Sequence, residues 1–243
     1  MWKFYYSTED DMSNLTNRNI EILKIIVEEF LETGEVLWSK SLLKKYDLWV
    51  SSATVRNDMA TLENLELIYQ PYNSAGRLPT AKWLRAFISY LMKEMPNHFL
   101  DSQNVTIQWN SIKTLQDFIY KITYELSKKT WEISFFISES NGILEYFWLG
   151  NFLEKNYKML GNSIFSIIKM IEDKKSFIQF IPSLPINSWV NVFIGEENIL
   201  PFLKDYTIIV RPIVIDGNTW YVWLIGWLKM NYNFSISAIK GII

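Results

Sequence analysis

Apolar side chains recur every three or four residues along the first third of the chain, a pattern that predicts amphipathic helices. It places a first helix over residues 16–35, a short second helix over 39–46 and a third helix over 51–67. Ser51 or Ser52 can cap the third helix. The apolar positions of this helix fall on one side and are predicted to face a core: Val55, Met59, Leu62 and Leu65.

A two-stranded ribbon is predicted next, because extended runs at 67–71 and 77–79 flank a turn-forming cluster at 73–76. A fourth helix is predicted to begin at Thr80 and to end near Met95. Helix, short helix, helix and ribbon is the order of a winged helix-turn-helix. A small helical bundle with a surface hairpin gives the same pattern, so both interpretations are open at this point.

The rest of the chain predicts an α+β domain with an antiparallel sheet, because short strand patterns are bracketed by helical ones. Residues 96–110 are polar, aperiodic and interrupted by proline, which is typical of a linker. The predicted domains are therefore 1–95, a linker at 96–110, and 111–243. In the second domain, helices are predicted over 111–129, over 158–172 and after Asn231, with strands at 133–137, 143–147, 177–181, 190–194, 207–215 and 219–225.

Charge is unevenly distributed, although the chain has 24 basic and 26 acidic residues and a formal net charge of −2. Residues 1–35 carry three bases and eight acids, whereas residues 36–93 carry eight bases and four acids. The positive side of the first domain would therefore hold the short helix, the third helix, the ribbon and the fourth helix. Such a surface suits phosphates, because neutralising them releases counterions.

Composition excludes several classes of chemistry. There is no cysteine, and the one histidine, His98, falls in the predicted linker, so thiol catalysis, a histidine triad and a multi-histidine metal site are all excluded. No phosphate-binding glycine loop or nucleophile motif is present, and we expect neither an enzyme nor a cofactor. The longest charge-free run near the C-terminus, residues 217–228, is too short to cross a bilayer, and we expect a cytoplasmic protein.

Two segments of the first domain resemble the HrcA family of bacterial heat-inducible transcription repressors. They are SSATVRNDMATLE at 51–63 and QPYNSAGRLPTAK at 70–82. The opening helix at 17–35 and two C-terminal segments, 192–212 and 224–232, are also similar to that family and occur in the same order.

The resemblance implies a homodimeric repressor that binds double-stranded DNA at an inverted-repeat operator upstream of chaperone genes. It implies a GAF-like second domain and support of the repressing form by the GroEL chaperonin. Family members are longer, because a dimerising domain is inserted into the GAF-like one. Here the strand near Phe135 passes quickly to residues 146–151, so that domain is expected to be reduced.

Candidate DNA contacts follow from the predicted orientation of the third helix. Asn57 suits adenine, and Arg56 can reach guanine or phosphate, with a surface ion pair as its structural alternative. Serines at the helix start can donate to phosphate or simply cap the helix. Arg77, beyond the ribbon turn, can lie along a phosphate or in a minor groove. The full predicted set is Lys40, Ser51, Ser52, Thr54, Arg56, Asn57, Thr61, Ser74, Gly76 and Arg77. Lys44 and Lys45 are expected near phosphate as well, and a solvated helix face is an equally good interpretation of Lys40, Lys44 and Lys45.

Two other regulatory classes are open: a small-molecule-responsive regulator and an interaction module that does not bind DNA. In the second domain, Glu196, Glu197 and Asn198 could form a cation site, but such a run more often caps a helix.

Tryptophan is unusually frequent, with 11 residues against only 9 glycines. Eight tryptophans stand where the family pattern has glycine, although tryptophan is the poorest substitute for glycine on steric grounds. We hypothesise that the gene comes from an organism that reads UGA as glycine. Glycine at these eight positions would raise the glycine content of the chain to the usual level of about 7%. The positions are Trp38, Trp49, Trp83, Trp131, Trp148, Trp189, Trp220 and Trp223.

Overall fold

The computed structural model describes residues 15–33, 35–46, 49–94, 114–138, 140–147, 149–150, 162–187 and 189–242. The chain divides into two compact units, Met1–Lys93 and Glu94–Ile243. The predicted linker at 96–110, His98 and Trp148 lie outside the described residues.

The described residues of the first unit form four helices and a two-stranded antiparallel ribbon. The helices are α1 (Asn17–Thr33), α2 (Ser39–Lys45), α3 (Ser52–Asn64) and α4 (Ala81–Glu94), and the ribbon strands are β1 (Ile68–Tyr69) and β2 (Leu78–Pro79). Each predicted element of residues 16–95 is therefore present, with ends that differ by a few residues.

The core of this unit forms where the apolar sides of α1, α2 and α3 meet. Ile22, Leu23 and Val27 of α1 are fully buried, as are Leu42 of α2 and Val55 of α3. Helical spacing brings these side chains to one side of each helix, and their burial stabilises the unit.

The second unit is built on a five-stranded antiparallel sheet. Among the described residues it has the helices α5 (Leu115–Thr130), α6 (Asn162–Glu172), α7 (Lys174–Phe180) and α8 (Tyr232–Lys240). Its strands are β3 (Ile133–Ser138), β4 (Ile143–Phe147), β5 (Asn191–Ile194), β6 (Tyr206–Ile215) and β7 (Asn218–Trp227), in the spatial order β4-β3-β7-β6-β5.

Helices cover both faces of this sheet. On one face, Phe135 of β3 packs edge-on against Phe177 of α7; on the other, Phe136 meets Phe118 of α5. Because alternate residues of a strand point to opposite faces, β3 is buried along its whole length. Arg211 of β6 fixes the end of α8, since its Nη1 donates to three main-chain carbonyls, those of Ile239, Lys240 and Ile242.

The strand predicted at 177–181 is wrong. These residues lie in α7 and in the short 3₁₀ turn Ile181–Ser183. The Asp173 carboxylate accepts the Ser176 N–H and caps the helix, and Phe177, Ile178 and Ile181 are buried at helical spacing. A short apolar run of this kind does not distinguish strand from helix.

Candidate nucleic-acid interface

Helix α3 has the predicted orientation. Val55 and Leu62 are fully buried and Met59 is 4% exposed. The opposite side faces solvent and presents two small residues and three polar ones: Ala53, Asn57, Ala60, Thr61 and Asn64. Short and polar side chains of this kind let a helix approach base edges closely.

The rotation of α3 is fixed by a buried carboxylate that sequence reasoning did not identify. Asp58 is 7% exposed and accepts two hydrogen bonds from Arg18, at 2.6 and 3.1 Å, and one from the Asn19 amide, at 3.1 Å. The Asp58 carboxylate also raises the pKa of Arg18 above its usual value, because it accepts a hydrogen bond from the guanidinium and carries a negative charge beside it. The spacing of Val55 and Asp58 (i, i+3) was the available signal, since it places the carboxylate on the inward side.

The start of α3 is capped by Ser51, whose Oγ accepts the Thr54 N–H at 3.1 Å. The hydroxyls of Ser51 and Thr54 are also 2.9 Å apart. Ser52 follows as the first residue of α3, and its buried Oγ has no hydrogen-bond partner in the part of the chain that the structure describes. The capping role of Ser51 is confirmed, and phosphate contact by Ser51, Ser52 and Thr54 stays a prediction.

A groove of about 710 Å³ separates the start of α2 from α3 and the ribbon turn, and we call it the basic groove. It brings together half of the predicted DNA contacts: Lys40, Arg56, Ser74, Gly76 and Arg77. The other half lies on α3 and its cap and does not line the groove: Ser51, Ser52, Thr54, Asn57 and Thr61.

The cations around the groove differ in their partners. Lys40 and Arg56 are exposed, and neither forms an ion pair or hydrogen bond with any residue described by the structure. The surface ion pair that was the structural alternative for Arg56 is therefore not formed among the described residues. Lys45 instead pairs with Glu29 at 2.5 Å, and this hydrogen bond holds the pKa of Lys45 above its usual value.

The ribbon turn is held closely against the segment before α2. Leu37 and Arg77 exchange two main-chain hydrogen bonds of 3.0 and 2.9 Å. A Cβ atom on Gly76 would lie 2.6 Å from the Leu37 carbonyl oxygen, so no larger residue fits there without a shift of the backbone. Ser74, at the tip, has a φ of 63°.

Arg77 is not the isolated turn cation that the sequence predicts. Its Nη2 lies 2.8 Å from an oxygen of Glu63 on α3, and its Nη1 donates to the Ala75 carbonyl at 3.3 Å. Its side chain is only 20% exposed. Direct contact of Arg77 with DNA stays a prediction.

The acidic run of the second unit has structural roles. Glu197 accepts the Ile194 N–H at 2.8 Å. The Asn198 amide donates to the carbonyls of Gly195, Leu203 and Tyr206, each at 2.9 Å. Among the described residues, no group of three histidine, cysteine or acidic side chains could hold a metal ion. No described helix is long and apolar enough to cross a membrane.

Five of the eight tryptophans stand where tryptophan is poorly accommodated. Trp49 and Trp131 have φ angles of 51° and 63°, in the left-handed region that favours glycine. Trp83, Trp220 and Trp223 are buried, and their indole N–H groups have no acceptor among described atoms, which is costly. Trp38 and Trp189 are exposed and have no such conflict. These conflicts support the glycine hypothesis, which stays a hypothesis.

Comparison with known proteins points to one family. A family model described as the HrcA protein C-terminal domain matches residues 80–236. A heat-inducible transcription repressor HrcA from Alkaliphilus metalliredigens is 36% identical over 120 residues, which are 48% of this chain and 35% of the relative. One from Acidothermus cellulolyticus is 49% identical over 82 residues, 34% of this chain and 24% of the relative. The matched segments thus span about a third or less of these curated relatives.

A solved structure shares the fold. A crystal structure of a hypothetical protein at 2.2 Å resolution superposes with a TM-score of 0.75 at 17% identity. The match covers 93% of this chain and 96% of the other.

Proposed function

The chain belongs to the HrcA family, and on this premise we propose that it represses transcription of heat-shock genes by binding double-stranded DNA. The proposal makes it a regulator rather than an enzyme. It assigns DNA binding to the first unit, as a winged helix-turn-helix in which α3 is the recognition helix and the ribbon is the wing.

One observation carries the proposal: the solvent face of α3 and the basic groove beside it form a surface with the chemistry that DNA requires. The face offers small side chains and the Asn57 amide, and the groove offers two cations, Lys40 and Arg56, with no protein partner among described residues. Cations already engaged with carboxylates could bind phosphate only after losing those partners, whereas Lys40 and Arg56 bear no such cost.

The roles within this surface follow from reach and chemistry. Asn57, near the N-terminal end of α3, suits the N6 and N7 atoms of adenine, and Arg56 suits guanine or a phosphate. Lys40 contacts phosphate across the groove. Hydroxyls at the start of α3 and along its outer face contribute further contacts: Ser51, Ser52, Thr54 and Thr61. Ser74, Gly76 and Arg77 belong to the surface through the ribbon turn that they build.

The remaining features of the proposal rest on membership of the family. The second unit would be a reduced GAF-like domain that pairs two copies of the chain at an inverted-repeat operator. Binding of GroEL to the DNA-binding form would stabilise that form by mass action, so diversion of GroEL to unfolded proteins would release the operator. We place this regulation in the cytoplasm.

The test is binding of the full chain to an inverted-repeat duplex from the DNA upstream of its gene, at several salt concentrations. We expect affinity to fall steeply with salt and to exceed that for a scrambled duplex. Asn57→Ala should reduce this discrimination, whereas Asn64→Ala, the same change two turns further along the same face, should leave it intact. A chain with no salt-dependent affinity for either duplex would contradict the proposal and favour a module that does not bind DNA.

A further inference from the structure

The Glu63–Arg77 ion pair joins α3 to the ribbon turn. Arg77 Nη2 and the Glu63 carboxylate are 2.8 Å apart, and the Arg77 side chain is more buried than that of Glu63, at 20% against 35% exposed. A partly buried guanidinium that already holds a carboxylate and a carbonyl has a fixed orientation.

The same residue is fixed through its main chain. Its N–H and C=O both bond to Leu37, in the segment that leads into α2. The contact is close, because Gly76 leaves no room for a Cβ atom beside the Leu37 carbonyl. Arg77 therefore ties three parts of the first unit together: the end of α3, the entry to α2 and the ribbon turn.

Resting on the proposed DNA binding, we propose that Glu63 and Arg77 are positioning residues. They hold the ribbon turn at a fixed distance from α3, and this distance sets where Lys40 and Arg56 meet the DNA backbone. In this arrangement Arg77 acts through Glu63 and does not itself bind phosphate.

Removal of the negative charge of Glu63 distinguishes this positioning role from a direct contact of Arg77 with DNA. Glu63 is a negative charge close to a surface that binds a polyanion, so by electrostatics alone its removal should strengthen DNA binding. If Glu63 instead positions the turn, its removal should weaken binding. The two accounts predict opposite effects of the same substitution.

The experiment compares Glu63→Gln, Arg77→Ala and the double variant with the unmodified full chain, by affinity for the inverted-repeat duplex over a range of salt. We expect each single change to weaken binding roughly tenfold and the double to be no weaker than either, because one interaction is lost in all three. The salt dependence should stay unchanged, since no phosphate contact is removed. Melting curves followed by circular dichroism verify that each variant is folded at the assay temperature.

Glu66→Gln is the matched control, because Glu66 is an exposed carboxylate three residues from Glu63 with no ion pair among described residues. It should bind as well as the unmodified chain or slightly better. Unchanged or tighter binding by Glu63→Gln would overturn the positioning role. A salt slope lowered by about one in Arg77→Ala would also overturn it and would assign Arg77 to phosphate. Loss of salt-dependent binding by the unmodified chain would instead refute the proposed function itself.

Discussion

Arg18 of α1 and Asp58 of α3 form a two-point pair in which Nε and Nη2 donate to the two carboxylate oxygens, at 2.6 and 3.1 Å. Successive residues of an α-helix lie about 100° apart around its axis, so the inward position of Asp58 fixes the rotation of α3 that leaves Asn57 exposed. The pair therefore connects the packing of the first unit to the direction in which its proposed recognition side chain points.

Asp58→Ala should destabilise the first unit by about 1–3 kcal/mol, because it leaves the Asn19 amide and the Arg18 guanidinium without their acceptor. Denaturant unfolding of the full chain, followed by a probe in the first unit, measures the change. Glu21→Ala removes an exposed carboxylate of α1 and should have little effect. Equal stability of the two variants would show that the pair contributes nothing.

Arg56→Ala should lower specific DNA affinity by about 1–3 kcal/mol if Arg56 contacts a base edge. The measurement is discrimination between operator and scrambled duplex at fixed salt. Lys24→Ala, which removes an exposed cation of α1, is the comparison. Unchanged discrimination in Arg56→Ala would remove Arg56 from base recognition.

Gly76→Ala should weaken DNA binding and lower the melting temperature, because the added methyl group would lie 2.6 Å from the Leu37 carbonyl oxygen. The ribbon turn must then move away from α2, which changes the width of the basic groove. Gly150→Ala is the matched control, since a Cβ atom there meets nothing within 4 Å. A Gly76→Ala chain that binds and melts like the control would contradict the close contact.

Trp131→Gly and Trp49→Gly should each stabilise the chain or leave it unchanged, because glycine adopts positive φ without the cost of roughly 1 kcal/mol that other residues pay. Trp131 ends α5 in the left-handed conformation, where glycine is preferred. Trp38→Gly, at an exposed site with φ of −88°, should instead be neutral or destabilising. Destabilisation in all three variants, or UGG codons at the eight positions, would reject the glycine hypothesis.

Asp173→Ala should lower stability at neutral pH, and the difference from the unmodified chain should shrink in acid. Hydrogen bonding to Ser176 holds the pKa of Asp173 below its usual value, so its contribution is complete above the unfolded pKa. It is lost as pH falls through the lower, folded value. Thermal melts from pH 7 to pH 3 measure this convergence, and a difference that does not vary with pH would contradict it.

Sequence periodicity predicted most of the fold because long amphipathic helices and alternating strands carry their own signal. It failed at α7, because the short apolar run at 177–181 fits a buried strand as well as a helix. The solvent face of α3 was predictable for the same reason, since it is the complement of the apolar side.

The pairs that shape the site could not be predicted, because each joins residues distant in sequence. Asp58 meets Arg18 across 40 residues, and Glu63 meets Arg77 across β1 and the ribbon turn. A charged residue shows only its type in a sequence, and whether it is available to a ligand depends on which partners the fold brings to it.

The pairing of β3 with β7 has a consequence for the order in which the protein assembles during synthesis. Ile133 lies opposite Ile225, so the middle of the sheet cannot close until Ile225 has left the ribosome. The apolar cluster of the first unit, by contrast, is complete within residues 15–87. The apolar core of the first unit can therefore form early in translation, whereas β3 keeps one unpaired edge until β7 has been synthesised.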